Sequence, residues 1–509
     1  MNRFGYRPYG MALWDTWYIE HDGAAHVFYL QRHLPGSGRP ESDAHNIGHA
    51  ISRDLIHWEE RPPALWPGPA GGLDDLQHFT GCATKHDGRF YLYYTMRSST
   101  NQAKKQHIGL ATSENLETWE RYSGNPVISP DPRWYVSHDN PLPCGVVDCR
   151  DLVVVRHPDE DVWLGFYAAM KHAEELAEGA AIAAVRSSDL LHWEHLPPAF
   201  TPKKYNVMEV PDVFCIDGRW YLTCLVGHGL GNRGIFSDPH VAIGTIYAVA
   251  DRPEGPYHEL EDDQILIGGV NDSGYSCRSL EFEGERMMFY TQRITGGSVL
   301  SPPMRVITTD EGHLRLAWSP RTSAYRQKEL ISLGEAPLIV SLPSGRNNWE
   351  QPTGRWRIEG NRYIGESRTG WQVADLGLGS ADVEVEARIT LHDAAAAGLV
   401  WRTDASKPFS SESDMVFLLE GRDQCLRAAH LNLFEDSTVR CWPLEMGRPY
   451  HLRVCIRRPW IEIYVGDLLV LQCSTEMAEP RRPSVGLFVD RGRAELTDIA
   501  VYALSDQVM

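Results

Sequence analysis

Three carboxylic acids stand at matching places in the first half of this 509-residue chain. Asp15 lies in Trp14-Asp15-Thr16-Trp17, seven residues before the Asp-Gly pair 22–23. Asp151 lies in Cys149-Arg150-Asp151-Leu152, eight residues before Asp159. Glu209 opens Glu209-Val210-Pro211-Asp212, eight residues before Asp217. An ionised and a protonated carboxyl group flanking one bond is the arrangement that glycosyl transfer uses. Taken singly, each acid reads more simply as a turn cap or an arginine partner; the shared offset is what groups them. Asp212 falls on the opposite face of an extended strand from Glu209 and reads as structural, and Asp148 reads as a turn residue. Arg150 would pair with the cluster or with a sugar hydroxyl, and a plain structural ion pair is nearly as good a reading. Trp14 and Trp17 flank Asp15, and sugar stacking and core packing are equally open for both.

The elements that must hold these acids come from an internal repeat. Asp22-Gly23, Asp87-Gly88, Asp159-Glu160, Asp217-Gly218 and Glu283-Gly284 each precede an aromatic, alternating strand, at steps of 65, 72, 58 and 66 residues. Such pairs turn β-hairpins. A second unit follows the first three: Ser52 to Trp58, Ser113 to Trp119, and Ser188 to Trp193, the last one residue shorter. A looser fourth copy runs from Ala250 to Tyr257. Two units on one period predict five four-stranded antiparallel sheets whose edges protect one another, a five-bladed β-propeller. The only helix-like stretch there is 172–179. The period ends near Pro320, and 321–350 reads as a linker rich in turn residues. From 351 to 509 the strands alternate without the repeat, as in Val383–Ile389 and Ile461–Val465, and predict a β-sandwich. The chain reads as all-β: propeller 1–320, linker, sandwich. The sandwich carries no carboxylate cluster and is expected to be auxiliary, with Trp356, Trp371, Trp401 and Trp460 in its core or at an interface.

Composition narrows the partners. Lys plus Arg number 49 and Asp plus Glu 68, a net charge of −19. So acidic a chain repels phosphate backbones, which excludes nucleic acid as the expected partner. No apolar run reaches the ~18 residues of a membrane helix. No apolar stretch follows Arg3 and Arg7, so no signal peptide is expected. The 10 cysteines are scattered without a CxxC pair. Together these predict reduced thiols and a cytoplasmic protein. The 21 histidines form no HExxH and no helical pair with a third ligand, so neither metal nor cofactor is expected. Self-association stays open.

Several segments together carry a resemblance. Gly48-His49-Ala50 before Ser52 to Trp58 resembles a Trp-Gly-His-Ala segment followed by Ser-x-Asp-Leu-x-x-Trp. Phe79-Thr80-Gly81-Cys82 resembles Phe-Ser-Gly-Ser, Arg150-Asp151 resembles Arg-Asp-Pro, and Glu209 to Asp212 resembles Glu-Cys-Pro-Asp. These are motifs of glycoside hydrolase family 32, the β-fructofuranosidase, invertase and fructanase group, and the match runs along the first 320 residues. Met304 to Leu314 resembles the strand pair closing that family's propeller, and the region after Trp356 resembles its sandwich. Departures cluster near the sugar. The family's Trp-Met-Asn-Asp-Pro-Asn-Gly is reduced here to Leu13-Trp14-Asp15-Thr16-Trp17, Ile47 replaces a Trp, and Leu152 replaces a Pro.

The resemblance implies a retaining hydrolase of β-fructofuranosides such as sucrose, fructo-oligosaccharides or fructans. It implies Asp15 as nucleophile, Glu209 as general acid/base and Asp151 as the holder of two sugar hydroxyls. Asp15 is then expected to keep a low pKa in a polar site, and Glu209 a raised one beside two carboxylates. Gln31, His49, Phe79 and Thr80 join Trp14, Trp17 and Arg150 as substrate-pocket candidates. The insertion 124–146, with His138-Asp139, could rim the funnel or pack as a surface loop. Alternatives are a fructosyl transferase or fructose-dianhydride enzyme, an inverting arabinofuranosidase- or xylosidase-like propeller, and a non-catalytic sugar-binding protein. The three retained carboxylates argue against the last.

Overall fold

Each Asp-Gly pair of the repeat turns a tight hairpin in the computed structural model, which describes residues 4–34, 36–37, 46–173, 178–227, 243–260, 265–269, 274–294, 297–331, 340–342, 354–406, 414–430, 438–474 and 479–505. Asp22, Asp87, Asp217 and Glu283 have φ of 52°, 47°, 50° and 53°, and the glycines after them 67°, 77°, 80° and 80°. Two successive positive φ values define the type I′ turn, whose twist matches its strands; the glycine is there for that reason. The third copy, without its glycine, closes more widely, from His157 N–H to the Val162 carbonyl at 3.0 Å.

These hairpins build four antiparallel four-stranded sheets. The first holds β1 (Met11–His21), β2 (Ala24–His33), β3 (Ile47–Ser52) and β4 (Glu59–Leu65). The second holds β5 (Gln77–His86), β6 (Arg89–Arg97), β7 (His107–Ser113) and β8 (Glu120–Arg121). The third holds β9 (Cys149–Arg156), β10 (Trp163–Met170), β11 (Ala180–Ser187) and β12 (Glu194–Phe200). The fourth holds β13 (Glu209–Ile216), β14 (Arg219–Gly227), β15 (Ile243–Ala250) and β16 (Ile265–Gly269). A further run follows: β17 (Tyr275–Phe282), β18 (Glu285–Ile294), β19 (Gly297–Leu300), β20 (Met304–Thr308) and β21 (Leu314–Ala317). Here β18 pairs with β17, β19 and β20, and β20 with β21. The first strands adjoin in sequence, β1 to β5, β5 to β9, β9 to β13, β13 to β17, and β17 back to β1. This is a propeller arrangement, and residues of its first strands, with Trp220 of β14 and Arg286 of β18, line a cavity of about 400 Å³.

The serine units sit at the turns between third and fourth strands. The hydroxyls of Ser52, Ser113 and Ser187 accept the N–H of Leu55, Leu116 and Leu190 at 2.8, 2.9 and 2.9 Å. Those leucines are buried at φ of 67°, 64° and 64°. The third copy therefore starts at Ser187, not Ser188, and is as long as the other two. The helix expected at 172–179 falls partly on 174–177, outside the described residues. The insertion after Gly124 is packed: Ile128, Tyr135 and Val136 are buried, and Val136 N–H binds the Met170 carbonyl at 2.8 Å.

Trp17 is 1% exposed and lies stacked near Phe28, at 6.3 Å between ring centroids, in the core between the first two sheets. Its ring belongs to that core. Trp17→Ala should therefore lower stability by about 3–5 kcal/mol, the usual cost of emptying an indole-sized core site, read as a fall in the urea midpoint.

By contact density, residues 5–321 form one unit, and 1–4 with 322–509 another. The second unit is a separate all-β region. Its long strand Ser484–Leu504 pairs with Arg362–Asp375, Val383–Leu391 and Ala396–Arg402. It also pairs with Arg326–Ile331, a strand inside the stretch read from sequence as linker. Trp401 and Trp460 are buried, and Trp356 packs on the core that holds Trp401; Trp371 stacks near Phe488 at 6.2 Å. Among the described residues no helix is long and apolar enough to cross a membrane. All ten cysteines are free thiols.

Candidate active site

Every first strand of the propeller is interrupted at one place. Pairing slips between Leu13 and Thr16, Phe79 and Cys82, Arg150 and Val153, Glu209 and Asp212, and Tyr275 and Arg278. Each slip leaves two residues facing one on the second strand, the signature of a β-bulge, which bends the strand and re-aims side chains. Asp151, Val210 and Ser276 take φ of 63°, 49° and 55° there. Gly81 fills a bulge position where a Cβ would lie 1.8 Å from the Tyr93 carbonyl oxygen. The near-equal offsets thus resolve into successive positions, with Glu209 just before its bulge, Asp151 first in its own and Asp15 second. The three acids therefore differ by one position each relative to the bulge.

A single hydrogen-bond network joins them. Thr80 Oγ1 donates to Asp15 Oδ2. Thr95 Oγ1 donates to the Thr80 carbonyl at 2.8 Å and accepts the Asp151 N–H at 3.1 Å. Asp151 Oδ2 accepts the Val210 N–H at 3.0 Å. Arg150 Nη2 donates to Glu209 Oε1 at 3.0 Å, its Nη1 lies 2.6 Å from Asp148 Oδ1, and its Nε 3.5 Å from Asp151 Oδ2. Gln106 Oε1 accepts the Cys149 N–H at 3.1 Å, next to Arg150. Arg278 Nη2 donates to the Asp151 carbonyl at 2.9 Å.

Burial sets the electrostatics. It pushes Asp15 above its ordinary pKa, and the Thr80 bond, the neighbouring Ser276 hydroxyl and the Arg278 charge offset only part of that. The low pKa expected for Asp15 is therefore corrected in direction, because desolvation outweighs the polar contacts. Asp151 is raised by burial to about 7, with Arg150 opposing and the charges of Glu209 and Asp15 adding to the rise. Glu209 is raised by burial, again against Arg150, with Asp15 and Asp148 adding to it. Only the Glu209 side chain keeps appreciable exposure, 21% against 3% for Asp151. So burial makes the most accessible of these acids give up its proton less readily than a free carboxyl, which suits it to donate one.

The other sequence candidates divide. Thr80 and Arg150 are in the network. Phe79 is half-buried beneath the Arg97 guanidinium, 3.9 Å from its ring centroid. Gln31 is buried opposite Leu13 at the edge of the first bulge and donates to Asn46 Oδ1. Trp14 is half-buried against the core of the first two sheets. His49 is not in the network: its Nε2 lies 3.0 Å from His26 Nδ1, it stacks on Phe28, and burial lowers its pKa to about 3. Asp212 is structural as expected, its oxygens taken by the N–H groups of Val213 and Ser279. Asp148 is no mere turn residue; it is the shortest partner of Arg150.

Thr95, Gln106, Ser276 and Arg278 escaped the sequence reading. A signal for Arg278 existed: it stands five residues before Glu283, as Asp212 stands five before Asp217.

His157, Glu160 and Glu254 bring ligand atoms within 4.8 Å of one another. His157 Nδ1 accepts the N–H groups of Asp159 and Glu160 at 3.1 and 3.0 Å. Its proton must then sit on Nε2, 3.1 Å from Glu254 Oε1. A metal at Nε2 would displace that proton, so the trio braces a turn rather than forming a ligand set.

With this geometry in place, comparison with known proteins is informative. The family model for the glycosyl hydrolases family 32 N-terminal domain matches residues 16–283. A levanase of Bacillus sp. (strain L7) is 24% identical over 514 residues, covering 91% of this chain and 48% of the levanase. A levanase of Bacillus subtilis (strain 168) is 28% identical over 231 residues, 42% of this chain and 30% of that protein. The chain thus spans about half the length of the first and less than a third of the second. The exo-inulinase structure from Aspergillus awamori shares the fold at a TM-score of 0.69 and 16% identity, over 99% of this chain and 98% of that one.

Proposed function

Because the chain belongs to glycoside hydrolase family 32, we propose that residues 5–321 form a five-bladed propeller that hydrolyses β-fructofuranosides with retention. The observation that carries this reading is the network binding Asp15, Asp151 and Glu209, from three different sheets, through Thr80, Thr95 and Arg150. The closed ring of β1, β5, β9, β13 and β17 supports the fifth blade. The second unit is an auxiliary β-sandwich. The levanase names of two relatives put a β-fructan or its oligomers first as substrate. Free thiols throughout support a cytoplasmic enzyme meeting a short, imported sugar.

The reaction runs in two displacements. An Asp15 oxygen attacks the anomeric carbon while Glu209 gives its proton to the departing glycosidic oxygen. The bond to the leaving group breaks, and a fructosyl ester forms on Asp15. Glu209, now ionised, takes a proton from water, whose oxygen attacks the same carbon and releases Asp15. Asp151 accepts hydrogen bonds from ring hydroxyls, which strengthen as positive charge develops. Arg150 keeps Glu209 aimed while Asp148 and Asp151 balance its charge.

A panel of β-fructofuranosides, α-L-arabinofuranosides and β-xylosides, with products followed by NMR before mutarotation, tests this. β-Fructose as the first product is the expected result. An inverted product, or turnover of arabinosides or xylosides alone, would move the protein to the arabinofuranosidase-like reading.

A further inference from the structure

Two arginines are buried at the site, and their charges are used differently. Arg150 meets Asp148, Asp151 and Glu209, three carboxylates around one guanidinium. Arg278, 2% exposed on β17, touches no carboxylate oxygen among the described residues; its bond goes to a neutral acceptor, the Asp151 carbonyl. That carbonyl belongs to the residue at φ 63°, a left-handed backbone that a non-glycine residue keeps only when its surroundings hold it there. Arg278 is also the arginine whose charge bears on Asp15.

We propose that Arg278 is a positioning residue acting on both sides of the reaction centre. It clamps the Asp151 bulge in its catalytic conformation, and its cation opposes part of the burial that disfavours the charge of Asp15. This rests on the reading of Asp15 as nucleophile. Arg278 bonds the Asp151 carbonyl of β9, its charge bears on Asp15 of β1, and it lines one cavity with Tyr18 of β1, Cys82 of β5 and Asp212 of β13. Burial holds Tyr18 well above its usual pKa and Cys82 at about 12, so both stay neutral across the working range. The carboxylates carry the response.

The test compares Arg278→Met, Arg278→Gln and Arg278→Lys. Removing a cation raises a carboxylate pKa, so the acid limb of kcat/KM should move to higher pH by about one unit in Arg278→Met and Arg278→Gln. Arg278→Lys should keep the limb in place but lose about 10-fold in plateau rate, because a shorter ammonium loosens the Asp151 carbonyl. Arg278→Gln retains an N–H donor and serves if the Met variant does not fold. A purely structural role lowers the plateau and leaves the limb unmoved, and that outcome in a folded neutral variant overturns the proposal. The carboxyl infrared band lost on Asp15→Asn follows the Asp15 titration directly in each background. A wild-type protein inactive on every fructoside would refute the functional reading, while an Asp15 titration unchanged by Arg278→Met would refute this one.

Discussion

Asp15→Asn lowers kcat/KM on a β-fructofuranoside by at least about 10⁴-fold, because an amide cannot form the fructosyl ester that divides the reaction into two steps. The same variant is at least as stable as the parent. Asp15 sits where burial disfavours its charge, and an amide oxygen can still accept the Thr80 hydroxyl. The activity loss is therefore separable from unfolding: steady-state kinetics and the thermal midpoint, measured on one preparation, should move in opposite directions or the midpoint should hold still. A variant retaining a tenth of the parental rate would remove Asp15 from the chemistry.

Glu209→Ala loses about 10²–10⁴-fold on sucrose, whose leaving oxygen needs a proton, and far less on an aryl fructoside, whose leaving group departs as an anion. Azide should restore turnover of the aryl substrate, since it attacks the fructosyl ester without needing a general base. The pH profile carries a second signature. In the parent, Glu209 and Asp151 are both pushed up by burial, Asp151 to about 7, and they titrate as a pair. Loss of the pair's proton as pH rises should set the basic limb of kcat/KM near neutrality, and Glu209→Ala should abolish that limb. Removing the Glu209 charge also relieves Asp151, whose pKa falls. Equal losses on sucrose and the aryl fructoside would assign the proton to another group.

The same shift has a cost in stability. A carboxyl raised from 3.8 to about 7 holds its proton in the folded state where the unfolded chain has lost it. Its contribution is fully present below about pH 4 and is lost as pH rises through about 7. Asp15, Asp151 and Glu209 share the site, so their ionisation is opposed by one another as well as by burial.

The sequence was most informative where backbone chemistry is local. A type I′ turn needs two residues at positive φ, so Asp-Gly pairs on a regular step announce hairpins before any fold is known. The serine units were equally readable, since a hydroxyl three residues before a leucine can hold it in the left-handed region; only the start at Ser187 was misjudged, because Ser188 is chemically identical. The grouping of the three acids was legible from their offset along that repeat, while the roles proposed for them come from the family resemblance. Trp17 and His49 were ambiguous for the opposite reason. An aromatic side chain on a blade strand can face the pocket or the gap between sheets, and which one depends on the neighbouring sheet.

Only the tertiary structure decided how the acids behave. The bulges stagger Asp15, Asp151 and Glu209 by one position each, a displacement that sequence offsets cannot resolve because it arises in the pairing with the second strand. The rise of Asp15 above its usual pKa comes from desolvation on burial, which outweighs the local hydrogen bonds that suggested the reverse. Arg278 meets Asp151 across 127 residues of chain. Local spacing determines which side chains each blade offers to the axis; closure of the ring determines which of them meet, how dry they are, and therefore which proton each one holds.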